Sequence, residues 1–144
     1  MKLYLDNCCF NRPFDDQSQI RIRLESEAKL KIQEEIRAGS FQLAWSYILD
    51  YENSKNPFQE RKIRISGWRK YAFQNIDESV ELLKIANSLN QMGLHKLDSL
   101  HIACGVQSNC DYFLTTDDKI LKRSDQISYI RVTDPIAFIK EVLS

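Results

Sequence analysis

Short apolar runs alternate with long amphipathic stretches along this chain, and no other feature constrains its folding as much. Leu3, Tyr4 and Leu5 form an apolar run that stops at Asp6. The break at Asn11, Arg12 and Pro13 comes too soon for a helix, so the run reads as a buried strand. Over 17–37 the apolar residues Ile20, Leu24, Ala28, Ile32 and Ile36 recur every four positions among charged ones. That spacing predicts an amphipathic helix, with Gly39 as its stop signal. A second strand is expected over 41–45, leading into a helix over 46–53. Pro57 opens a helical stretch that reaches Tyr71 with a weak point at Gly67. Asp77 is placed to cap the next helix, in which Val80, Leu83 and Asn87 line one flank and Leu82, Ala86 and Leu89 another. That helix ends near Gly93. A helix over 95–108, a strand over 112–116 stopped by Asp117 and Asp118, a short helix and a strand over 128–132 follow. In the last helix Asp134 is the N-cap and Pro135 the first helical residue. Strands separated by long helices imply βαβ units. The expected class is therefore α/β, three layers deep, with a central, mostly parallel sheet between helices.

The 144 residues suit a single domain spanning 1–144, and 43% hydrophobic content can fill one core without disulfide staples. The formal net charge is zero, which is no global signature of a nucleic-acid binder. An acidic metal site would, however, offset a basic surface elsewhere. No apolar run is long enough to span a bilayer, and the first residues carry no signal-peptide pattern. Adjacent Cys8 and Cys9, with Cys104 and Cys110, do not suit a zinc-ribbon spacing. Reduced thiols and a cytoplasmic location, away from membranes, are the expectation.

In parallel α/β sheets ligands bind at the carboxyl ends of the strands. Asp6 and Asp117 each stand directly after an apolar strand, so both should project from that edge. Either alone could simply cap or turn the chain. Together they repel unless a cation sits between them. Glu52 follows the strand end at Trp45 and Ser46 by about two helical turns, with Asp50 close by. Asp98 lies in the first turn of a helix whose Leu97, Leu100 and Cys104 read as buried; the helix dipole alone would account for an acid there. Carboxylate oxygens are what hard Mg²⁺ or Mn²⁺ prefers. Such an ion lowers the pKa of a bound water, aims it at phosphorus and neutralises the departing oxygen. His95, His101 and Cys104 make an incomplete zinc set, and His101 reads as a packing residue. Arg61, Lys62, Arg64, Arg69 and Lys70, interleaved with Trp68 and Tyr71, would either grip phosphates and stack a base or form an ordinary solvated helix face. Arg12, near Asp6, is a further phosphate-binding candidate.

Four blocks now stand in order: Tyr4-Leu-Asp6, Ser46-Tyr-Ile-Leu-Asp-Tyr-Glu52, Leu97-Asp-Ser-Leu-His-Ile-Ala103 and Phe113-Leu-Thr-Thr-Asp117. In order and spacing they resemble the acidic blocks of PIN domains, over nearly the whole chain. The resemblance implies a PIN-like fold in which Asp6, Glu52, Asp98 and Asp117 bind Mg²⁺ or Mn²⁺ and are catalytic, with Thr116 a polar neighbour of the fourth acid. Many family members carry a small hydroxyl residue and then Asn after the first Asp. Here Asn7 and Cys8 stand there, and Asn7 is the candidate to support Asp6. Asp50 competes with Glu52 for the second role and Asp118 with Asp117 for the fourth; Asp118 otherwise supports its neighbour. The implied activity is hydrolysis of RNA phosphodiesters by an endoribonuclease, leaving 5′-phosphate and 3′-hydroxyl ends. A compact stand-alone chain of this kind resembles VapC-type toxins of type II toxin–antitoxin pairs, which implies an antitoxin partner and a homodimer. Two other readings exist: a non-catalytic PIN module that binds RNA or a protein, and a phosphotransfer domain with Asp6 as nucleophile. The latter usually carries a second Asp two residues on, where this chain has Cys8.

Overall fold

A computed structural model describes residues 1–143. Its centre is a five-stranded, all-parallel sheet of β1 (Lys2–Leu5), β2 (Gln42–Ser46), β3 (Ala72–Ile76), β4 (Tyr112–Leu114) and β5 (Arg131–Thr133), in the order β3-β2-β1-β4-β5. Around it lie the helices α1 (Asn7–Asn11), α2 (Ile20–Arg37), α3 (Tyr47–Ser54), α4 (Gln59–Ser66), α5 (Val80–Gln91), α6 (Lys96–Gln107), α7 (Asp118–Leu121) and α8 (Pro135–Phe138). α5 packs along α6, while α2 packs on α8. The three-layer α/β expectation is met, and the sheet is fully rather than mostly parallel. Leu3, Tyr4 and Leu5 are all buried, because β1 is the central strand and is covered on both faces.

The strand order reverses at β1. From it the sheet grows towards β2 and β3 on one side and towards β4 and β5 on the other. Successive crossovers on either side of such a strand leave a crevice at its carboxyl end. Asp6 stands at that end, and its backbone N–H donates to Leu114 O at 2.9 Å, tying it to the end of β4. α6 approaches β1 closely at Gly105, where a Cβ would lie 3.4 Å from Tyr4 Cβ and 3.2 Å from Ile130 Cδ1.

Three expectations differ in detail. The stretch to Tyr71 is α4 followed by a 3₁₀ turn from Gly67 to Tyr71, and the chain then forms the edge strand β3, which the apolar pattern does not signal. The N-cap of α5 is Ser79, whose side chain accepts from Leu82 N, rather than Asp77. In α2 the four-residue apolar row is only half buried. Ile20 and Leu24 are exposed, and Glu25, Ser26, Lys29 and Gln33 share the buried face with Ile32 and Ile36. Asp134 caps α8 by accepting from Ala137 N, with Pro135 at the first position, as expected. Among the described residues no helix is long and apolar enough to cross a membrane.

Candidate functional site

Asp6 ends β1 and caps α1. Its side chain is 8% exposed; Oδ1 accepts from Asn7 N at 2.8 Å and Oδ2 from Thr115 Oγ1 at 2.9 Å. Burial raises its pKa above the usual aspartate value, while His101 and the Thr115 hydroxyl pull the other way. Glu52 reaches the same place from the last turn of α3, a helix started by Ser46, whose side chain accepts from Leu49 N. Asn7 Nδ2 donates to Glu52 Oε2 at 3.0 Å, and His101 Nε2 lies 2.5 Å from Glu52 Oε1 and 3.8 Å from Asp6 Oδ1.

His101 is fully buried on α6, one turn after Asp98. Its Nδ1 lies 2.6 Å from the Tyr4 hydroxyl, itself 2.7 Å from Ser46 Oγ. Burial opposes the imidazolium, yet the hydrogen bond to Glu52 and the charges of Asp6, Glu52 and Asp98 prevail and raise its pKa. For Glu52 partial burial likewise raises the pKa, and the same imidazole brings the net shift downward. Asp98 sits in the first turn of α6. Its carboxyl is pushed up to about 6, first by burial and then by the negative charges of Asp6 and Asp117. Asp117 caps α7 by accepting from Lys119 N at 2.9 Å, and its own N–H donates to Thr115 Oγ1.

The other predicted positions separate from this cluster. Asp50 accepts from Trp45 Nε1 at 2.9 Å and pairs with Arg69, so it faces elsewhere than Glu52. Asp118 forms a two-pronged pair with Arg21, at 2.8 and 2.9 Å, on the exposed side of α7. Thr116 is buried, and its backbone N–H donates to Cys8 Sγ; Thr115 is the threonine whose hydroxyl touches an acid of the cluster. Arg12 is engaged by Glu25 and Asp15, Arg61 by Asp15 and Phe14 O, and Arg64 by Glu60. Lys70 lies over the Tyr71 ring. Of these cations, Arg61 alone lines a cleft with Asn7 and Glu52.

Asp98 forms one wall of a cleft of about 410 Å³, with His95, Lys119, Lys122, Arg123 and Gln126 around it. Arg123 is held in place by donating to Met92 O at 2.8 Å. Its guanidinium rests on Gly93, whose φ of +106° and missing Cβ both serve this contact; a Cβ would lie 2.9 Å from Nη2. The sequence patterns do not single out these cations. Two spacings do bear on the cluster: Tyr4 and Asp6 share a strand face at period two, and Asp98 and His101 share a helix face at i, i+3.

The donor set suits a divalent cation. Asp6, Glu52 and His101 each bring one potential ligand atom to within 4.8 Å of the others. Both His101 nitrogens already face partners, so the carboxylates are the better donors. Asn7 Oδ1 is buried beside them without any hydrogen-bond partner, an orphaned carbonyl oxygen of the kind hard cations and their waters engage.

No family model matches the sequence, and no curated protein does. Among solved structures, the chain is similar to a chain of VapBC2 from Rickettsia felis, described as bound to a DNA fragment from their promoter. The TM-score is 0.58 at 15% identity, over 93% of this chain and 98% of that one. It is also similar to a chain of FitAcB from Neisseria gonorrhoeae, with a TM-score of 0.60 at 12% identity over 92% of this chain and 97% of that one. At such identities the likeness is one of fold.

Proposed function

We propose that this chain is a PIN-family endoribonuclease, dependent on Mg²⁺ or Mn²⁺, in which Asp6, Glu52, Asp98 and Asp117 form the catalytic and metal-binding set. The observation that carries the reading is the meeting of Asp6, at the end of β1, with Glu52 of α3 at the switch-point crevice, with Asp98 near enough to feel the charges of Asp6 and Asp117. Burial and the charges of Asp6 and Asp117 disfavour the Asp98 carboxylate there, a cost that a bound cation would relieve. Asp6, Glu52 and Asp98, with Asn7 Oδ1, would hold the ion, and Asp117 would complete the set directly or through water. When bound, the ion supplies an activated water and charge neutralisation at phosphorus. The protein's part is orientation. Thr115 and Asn7 N fix the Asp6 carboxylate, while Asn7 Nδ2 and His101 fix Glu52. Lys119, Lys122 and Arg123, along the cleft beside Asp98, would neutralise RNA phosphates flanking the scissile bond.

The resemblance to VapC-type toxins, with the fold likeness to chains of VapBC2 and FitAcB, extends the reading to a cytoplasmic toxin of a type II pair that dimerises and is inhibited by an antitoxin. Exposed Ile20, Leu24 and Leu30 on α2, and Val80 and Leu83 on α5, are apolar surface that such partners would cover.

The test is cleavage of labelled structured RNA with Mn²⁺ or EDTA, beside an Asp98→Asn variant. Cutting that needs the metal and that Asp98→Asn abolishes is the expected result. A folded, metal-loaded protein that cuts no RNA would point instead to a binding module.

A further inference from the structure

A second cavity, of about 350 Å³, shares no lining residue with the acidic crevice or its flanking clefts. Its walls include Phe10, Phe14 and Trp68, and its cations are Lys29, Arg37 and Arg64; no acidic residue lines it. Lys29 is 2% exposed. Its ammonium lies 4.9 Å from the centre of the Phe10 ring and 5.6 Å from that of Trp68, and the Arg37 guanidinium lies 4.7 Å from the Trp68 centre. With its amide oxygen turned to satisfy both donors, Gln33 accepts from Lys29 Nζ and from Trp68 Nε1. Neither Lys29 nor Arg37 has a carboxylate within ion-pair distance among the described residues.

A buried ammonium is normally paired, because one amide oxygen and two ring faces replace little of its hydration. Here burial, aided by Arg37, lowers the Lys29 pKa to about 7. Two cations without a carboxylate partner converge on one indole and leave positive charge unmatched at the wall of an aromatic cavity. Arg64, paired with Glu60 at its surface, adds a third cation to the lining. An anion entering it would supply the missing partner. Ammonium and guanidinium groups together suit phosphate oxygens, and the aromatic walls suit a planar ring. The volume is at the small end for ligand sites, enough for about one nucleotide rather than a strand.

We propose that this cavity binds a nucleoside monophosphate, its phosphate held by Lys29, Arg37 and Arg64 and its base against the aromatic walls. The site is independent of the nuclease reading, since no residue of the acidic cluster lines it. The basic, aromatic stretch over 61–71 contributes Arg64, Ile65 and Trp68 to this cavity, which gives that stretch a role separate from the crevice.

The experiment is calorimetric titration of the purified protein in EDTA with 5′-AMP and 5′-UMP, beside adenosine, uridine and inorganic phosphate. Lys29→Met and Arg37→Gln variants are run in parallel. Arg37 is exposed, so its variant tests the site even if Lys29→Met folds poorly. The expected result is saturable binding of at least one monophosphate, tighter than its nucleoside or phosphate alone, and weakened tenfold or more by each substitution. No binding at millimolar monophosphate, unchanged affinity in both variants, or equal affinity for inorganic phosphate would each overturn the proposal.

Discussion

His101 is wholly buried, yet both of its ring nitrogens face groups from other elements, Tyr4 on β1 and Glu52 on α3. The imidazole therefore joins the two sides of the crevice and decides where the Glu52 carboxylate points. Replacing it with phenylalanine would keep the ring volume and the edge-on contact with Tyr4 while removing both nitrogens. Partners that orient a ligand are commonly worth ~10–100-fold in metal affinity. His101→Phe is expected to weaken Mn²⁺ binding by that order, measured by titration of the folded variant. It should also cost about 2–3 kcal/mol of stability, because the Tyr4 hydroxyl keeps only Ser46 as a partner. Unchanged Mn²⁺ affinity would reduce His101 to a packing residue. At Asp98 the opposite sign is expected. A carboxylate crowded by Asp6 and Asp117 opposes folding when no cation is bound. Without metal Asp98→Asn should unfold a few degrees higher than the parent, and Mn²⁺ should raise the parent's melting temperature more than the variant's. A variant that is destabilised, or stabilised equally by Mn²⁺, would contradict that account. Asp6, Asp98 and Asp117 are legible as acids at strand ends or a helix start, and Glu52 as an acid about two helical turns after a strand end. His101 and Thr115 are not, because an imidazole at a core spacing and one of two adjacent threonines acquire meaning only when α3 and the end of β4 meet β1.

Elements differ in how plainly their sequences announce them. β1 and β4 are short apolar runs buried on both faces, and α8 carries an Asp-Pro start, so local pattern and tertiary role agree. β3 is an edge strand in which only Ile76 is buried; Ala72, Phe73, Gln74 and Asn75 show neither alternation nor a continuous apolar run. α2 is recognisable as a helix, but its inward face is misjudged by hydrophobicity. Glu25 is buried as the acceptor of Arg12 and Arg21, and Lys29 and Gln33 are buried beside Trp68. Polar residues that find partners in other elements can occupy core positions, and a spacing rule for apolar residues does not register them. α6 illustrates what position demands of an element, since it carries both Asp98 and His101 and depends on Gly105 to approach β1. Gly105→Val would place a Cβ and two methyls against Tyr4 and Ile130, and overpacking of this kind costs about 1–3 kcal/mol. The strain falls on the helix bearing two groups of the crevice. Urea unfolding should therefore show the loss, and Mn²⁺ affinity should fall with it; a variant as stable as the parent would mean that α6 has room to shift.

Over the whole molecule charge sums to zero, yet like charges cluster locally. Acids gather at the switch point, Lys119, Lys122 and Arg123 line the cleft beside Asp98, and Lys29, Arg37 and Arg64 surround the aromatic cavity. The balance thus hides local clusters of either sign, which is why net charge says so little about function here. Clustering also leaves a mark on stability. Lys29 has a folded pKa of about 7 against an ordinary 10.5, lowered by burial and by Arg37. Below about pH 7 both the folded and the unfolded chain hold its proton, and Lys29 contributes no pH dependence. Between about 7 and 10.5 the unfolded chain holds more protons than the folded one, so the Lys29 contribution to stability rises with pH through that window. The full effect is bounded by about 5 kcal/mol. Other groups titrate in the same range, so the quantity to measure is the difference between the parent and Lys29→Met, by urea unfolding at pH 7 and pH 9.5. Cys9, whose charge would bear on Lys29, remains a thiol across the window because burial raises its pKa well above normal. Lys29→Met should be the more stable protein at pH 7, and the gap should close by about 2–4 kcal/mol at pH 9.5. A gap that stays constant would mean that Lys29 keeps its charge through hydration or a partner in solution, and the cavity would then have no unmatched ammonium to offer an anion.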